Sequence, residues 1–332
     1  MATYKEIFGT NIEVLASDPA NPVAGQVWYN STDNVVKGAA VTAAGAWASG
    51  GNLNTARSEL AATGNSPSTS ALVFAGEPSP GDTAATEQYN GTSWTEVNDL
   101  NTSRRLLAGS GTSTAGLAFA GFNGPPGALN VANTETWNGT SWTEVNDVNT
   151  ARRETSGNGL QTSSLLVGGY TGTLPSSANV ESWNGTSWTE TGDLNTGRQG
   201  LAAVGADNTS SLAFGGTPPT TGATESWNGT SWTEVNDLNT ARFNISGAGS
   251  ITAALAFGGL TDAPATVGNT ELWNGTSWTE TTDLSTVRYF LAGAGTSASA
   301  LAIGGDIGTG PTAATEEFTG AGSPLTVTFT DS

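Results

Sequence analysis

The 332-residue chain has no cysteine, no histidine and a single methionine. Zinc, haem and copper sites of ordinary ligand type are therefore excluded, as are cysteine nucleophiles, histidine general bases and disulfides, and neither a metal nor a cofactor is expected. Charge is sparse and one-sided: 12% of residues are charged, and ten Lys and Arg against 29 Asp and Glu leave a net charge of -19. Such a chain repels nucleic-acid backbones and anionic lipid surfaces, so nucleic acid is not an expected partner. No apolar run reaches the roughly 18 residues of a membrane span, so no membrane insertion is expected. The opening Met1-Ala2-Thr3-Tyr4-Lys5-Glu6 lacks the basic and apolar regions of a signal peptide, which predicts a chain not exported by the Sec route. The missing cysteine also suits a particle assembled inside a cell and then released.

What is present is a sizeable apolar fraction, 36%, with 45 glycines. Glycine at about twice its usual share predicts many turns and short strands, and disfavours a helical protein. The string W-N-G-T-S-W-T-E recurs with its second Trp at Trp142, Trp188, Trp232 and Trp278, the copy at Trp94 has Tyr89 in place of the first Trp, and Trp47 holds the place of the second Trp before Leu53-Asn54-Thr55-Ala56-Arg57. The clearest ruler is Arg57, Arg104, Arg152, Arg198, Arg242 and Arg288, at spacings of 47, 48, 46, 44 and 46 residues. Each Arg is followed seven residues later by a glycine, then by an apolar run ending in a small pair such as Ala120-Gly121 or Gly168-Gly169.

Each of the six units reads as four strands, A to D, because short apolar stretches alternate with Gly, Ser, Thr and Pro clusters. In the second unit A runs near Arg104 to Ser110, B near Gly116 to Gly121, C near Thr134 to Trp137 and D near Ser141 to Val145. Asn138-Gly139 between C and D predicts a two-residue hairpin turn with both residues at positive φ, and the dipeptide recurs at Asn90, Asn184, Asn228 and Asn274.

A period near 46 with four strands per unit is the mark of a β-propeller. The pattern resembles the kelch repeat: Arg at the start of strand A, a double glycine closing B, an aromatic in C (Tyr89, Trp137, Trp183, Trp227, Trp273, Phe318) and a Trp in D, with Ala75-Gly76 and Ala120-Gly121 in the first two units as a small departure from the double glycine. The expected fold is all-β, a six-bladed kelch-like propeller over residues 35–332 with an N-terminal anchoring extension over 1–34. Two segments compete to close the ring, Ala46-Trp47-Ala48-Ser49 and Leu325–Phe329. The match of Trp47 and Leu53-Asn54-Thr55 to the interior units favours the first. Residues Gly25–Asn34 resemble a short hairpin of bacteriophage tail-fibre and other virion proteins, and the W-N-G-T-S-W-T-E wording is similar to that of marine phage structural proteins.

Eleven Trp could form a sugar-stacking surface, but all except Trp28 sit at repeat positions, as blade-to-blade packing requires. The six Arg could ring an anion. One strand-C acid per unit (Glu87, Glu135, Glu181, Glu225, Glu271, Glu316) makes structural pairing the expectation instead. The connecting acids Asp99, Asp147, Asp193, Asp237 and Asp283 read as turn acceptors. Function is expected where the units differ, in the B-to-C loops on one face. Phe122 and Tyr170 open two of these loops in neighbouring units and are the candidate ligand-binding pair. No catalytic residue is expected: galactose-oxidase-like kelch enzymes need His and a Cys-linked Tyr, and sialidase-like propellers need clustered arginines. The resemblances imply a non-enzymatic phage virion protein, a tail fibre, appendage or capsid decoration in a larger assembly, whose partners are other virion proteins and a host-surface glycan or receptor. A host-encoded kelch-type interaction scaffold is the alternative, and a propeller glycosidase a lesser one.

Overall fold

Short apolar runs punctuated by glycine become strands of two to seven residues. The computed structural model describes residues 12–19, 26–41, 45–124, 129–263, 265–321 and 324–329; among them no helix occurs. The chain divides into two compact units, Met1–Gly45 with Thr319–Ser332, and Ala46–Phe318.

In the larger unit six four-stranded antiparallel sheets follow one another. The second is typical: A is Ala108–Thr112, B Ala115–Phe119, C Thr134–Trp137 and D Trp142–Val145. The ruler arginine thus precedes strand A rather than opening it. The A strands of the six sheets (Ala61–Ala62, Ala108–Thr112, Ser156–Leu160, Ala202–Asp207, Ser246–Ser250, Ala292–Thr296) neighbour one another in a closed cycle. The sixth sheet takes its D strand from Ala46–Ser49, while Pro324–Phe329 pairs elsewhere.

The tryptophans lie between sheets. The strand-D indole of each sheet reaches back to the sheet before it: Trp142 Nε1 donates to Thr86 Oγ1, Trp188 to Thr134 and Trp278 to Thr224, each at 3.1 Å. Trp47 donates to Thr270 at 3.0 Å and Trp94 to Thr315 at 3.1 Å, so the same bond crosses the junctions on either side of the sixth sheet. Where strand C opens on Val180 instead of Thr, Trp232 Nε1 turns to the carbonyl of Gly192 at 3.1 Å. Rings reinforce these bonds, as with Phe74 and Trp142 at a centroid distance of 4.9 Å.

The C-to-D turn differs from the expected hairpin. Strand C ends at Trp137 and D begins at Trp142, so Asn-Gly-Thr-Ser forms a four-residue connection. Only its glycine takes positive φ, 92° at Gly139. Asn138 serves through its side chain, Oδ1 accepting the N–H groups of Thr140 and Ser141 at 2.9 Å each. An Asn side chain that mimics a backbone turn replaces the left-handed Asn of a two-residue turn.

In the smaller unit, Val27–Asn30 and Val35–Val41 form a hairpin flanked by Glu13–Leu15 and Pro324–Phe329. Residues 35–45, grouped with the repeats on sequence, belong here because Val35–Val41 pairs with strands of this unit on both edges. Gly25, the first residue of the phage-like segment, lies outside the described residues. Trp28 is fully buried and its indole donates to Asp18. Asp18 also accepts from Lys37 and Asn30, which together hold its carboxyl down at about 2.

Candidate functional site

The repeated charges are absorbed by the ring. Each ruler arginine meets its own sheet's strand-C glutamate: Arg57–Glu87 at 2.8 Å, Arg104–Glu135 at 2.7, Arg152–Glu181 at 3.2, Arg198–Glu225 at 2.7, Arg242–Glu271 at 3.0 and Arg288–Glu316 at 2.7. Both partners are buried in every pair. Burial depresses the arginine pKa values, and the facing carboxylate opposes that shift. The second carboxylate oxygen clamps the chain entering strand A: Glu135 Oε2 accepts the backbone N–H and side-chain amide of Asn101 at 2.7 and 2.8 Å. Four of the connecting aspartates, Asp99, Asp147, Asp237 and Asp283, fasten the start of strand C, Asp147 Oδ1 accepting the N–H of Thr134 at 3.2 Å.

Two residues beyond each ruler arginine the chain reaches the axis. There Glu59, Leu106, Glu154, Gly200, Asn244 and Phe290 form a closed circuit in which each N–H donates to the preceding sheet's carbonyl, at 2.7 to 3.0 Å. All six have left-handed φ, between 51° and 62°. For a non-glycine residue that conformation costs about 1–2 kcal/mol. Gly200 avoids the cost, and Asn244 lowers it, since Asn tolerates the left-handed region. The six residues thus differ at a position where glycine would be the least strained.

This girdle rims an axial cavity of about 140 Å³, lined below by the A strands. It lies at the end where the B-to-C loops emerge, since the residue after each ruler arginine bridges the start of a loop, as Arg105 does to Phe122 and Arg153 to Tyr170. Arg105 gathers acids of the first unit: Glu59 at 3.3 Å, Glu77 at 2.5 Å and Asp82 at 3.4 Å. Glu154 lies 3.8 Å from Arg153 and accepts from Gln199 Nε2 at 3.1 Å. Burial, with neighbouring acids added, pushes the Glu59 carboxyl up to about 7. Glu154 is also raised, chiefly by burial.

Phe122 and Tyr170 do come together, but around a cation. The Arg153 guanidinium stands 4.6 Å from the Phe122 centroid and 4.8 Å from that of Tyr170, and it donates to Asn130 at 3.1 Å. Both rings are half-buried, and the face each turns to Arg153 is taken, so they form a clamp rather than an open stacking platform. The axial residues carry no repeat signature, so repetition does not point to them; their signal in the sequence is the reverse, a variable position two residues past each ruler arginine.

No family model matches the chain, and no curated protein matches it. Among solved structures it is similar to one titled "Structure of YjhT", with a TM-score of 0.67 over 80% of this chain and 95% of that one, at 13% identity. At that identity the likeness concerns the fold alone, and the fold is that of a β-propeller.

Proposed function

We propose that this β-propeller is a non-enzymatic recognition module carried on a bacteriophage particle, as a tail fibre, appendage or capsid decoration. Its B-to-C loop face contacts a host-surface glycan or receptor, or a neighbouring virion protein. The supporting observation is a division of labour: the repeated Arg and Glu are consumed in pairs that hold the sheets, while the residues that break the repeat collect around the axis at one face. A rigid ring with variable groups at one end suits recognition. The phage setting rests on the wording of the repeat and of residues 25–34. Peptide mass spectrometry and immunogold microscopy of gradient-purified particles test it. The chain is expected at fixed stoichiometry on intact virions; recovery only from the host-cell soluble fraction would overturn the virion placement and favour a kelch-type scaffold in the host.

A further inference from the structure

Around the girdle the side chains alternate in kind. Glu59, Glu154 and Asn244 occupy the first, third and fifth places, and Leu106, Gly200 and Phe290 the second, fourth and sixth. All six line the axial cavity. Asn244 is only 7% exposed, and its Oδ1 is buried without a hydrogen-bond partner, projecting into the space that a Gly200 side chain would fill. A buried acceptor left unpaired is costly, which makes it a place for a donor.

We propose that the axial cavity binds a primary ammonium group, either of a free aliphatic amine or of a lysine side chain on a partner protein, with Glu59, Glu154 and Asn244 as its three acceptors. An ammonium offers three N–H donors and no acceptor, which suits three acceptors at alternate places of a six-membered ring. Leu106 and Phe290 supply apolar surface for the alkyl stem. The local charge favours a cation, because Glu59, Glu77, Asp82 and Glu154 outnumber Arg105 and Arg153. Burial disfavours ionised Glu59 and Glu154, and an entering ammonium offsets that cost. The proposal deepens the reading of this face as the recognition face. It is tested on the isolated chain, so it stands or falls separately from the virion placement.

Calorimetric titration at pH 8 uses n-butylammonium and a blocked lysine tripeptide, with tetramethylammonium and n-butanol as controls. Saturable binding is expected for an amine, with tetramethylammonium at least tenfold weaker because it has no N–H to donate. Tighter binding of the tripeptide identifies a partner-chain lysine as the source, and tighter binding of butylammonium a free amine. Glu59→Gln and Asn244→Gly should each weaken binding at least tenfold without lowering the melting temperature, since Gln removes a buried charge and glycine tolerates the left-handed φ. No saturable binding of either amine, equal binding of tetramethylammonium, or undiminished binding by both folded variants would overturn the proposal.

Discussion

Glu59 is held in a left-handed conformation, mostly buried, with three other acids acting on it and one arginine in contact. Its folded-state pKa lies near 7 against an ordinary 4.5, so the folded chain holds this proton more tightly than the unfolded one. The resulting stability is fully present below about pH 4.5 and is lost as pH rises through 7. Glu59→Gln should therefore stabilise the protein at pH 8 by up to about 3 kcal/mol and bring little gain at pH 4. Denaturant unfolding at the two pH values measures this, and an equal difference at both would refute the burial argument. The opposite outcome awaits the paired charges. Arg198→Ala leaves Glu225 buried without its partner and should cost about 3–5 kcal/mol. That pair was legible from one-to-one counting of Arg and Glu along the sequence. The strained girdle was not, because left-handed φ at Glu59, Leu106 or Phe290 leaves no compositional trace.

At the scale of strands, the sequence shows which indoles recur but not what they bond to, since each partner threonine lies in the neighbouring sheet, 54 residues away for Trp188 and Thr134. The third sheet shows how closely the bond constrains the sequence. Val180 removes the hydroxyl, and the same sheet has Gly192 where the second has Asn146, so that Trp232 bonds the Gly192 carbonyl while Asn146 bonds Thr186 across the next junction. Thr134→Val, made where no such glycine stands, should leave the Trp188 N–H buried and unpaired at a cost of about 1–3 kcal/mol. The substitution nearly preserves shape, so a lowered unfolding midpoint reports the bond itself. An unchanged midpoint would show that ring packing against Phe119, at 4.9 Å, suffices. The Asn-Gly turns were legible as turns, but their length was not, because the Asn acts through its side-chain oxygen.

For the whole molecule, closure is the step that makes six sheets a ring, and it is carried by four residues distant in sequence from the sheet they complete. Ala46–Ser49 covers the open edge of Thr315–Thr319, and Trp47 packs on Phe257 and Phe318 at centroid distances of 5.2 and 5.1 Å while donating to Thr270. This origin of the last strand was readable because Trp47 and Leu53-Asn54-Thr55 repeat the interior wording. The pairing of Pro324–Phe329 with Val35–Val41 was not, since neither segment carries a repeat signature. Two truncations isolate the strand's contribution: a chain from Gly45 to Gly320 and one from Gly51 to Gly320, both without the N-terminal hairpin and its partner strand Pro324–Phe329 and differing in the closing strand. The shorter chain loses the Trp47 staple and bares an unpaired strand edge, which is a template for association. It should melt at a lower temperature and show higher-order species by light scattering, while the longer one remains monomeric under the same conditions. If both stay monomeric and melt together, the ring does not depend on its N-terminal strand, and the cyclic girdle of Glu59, Leu106, Glu154, Gly200, Asn244 and Phe290 is sufficient to hold it closed.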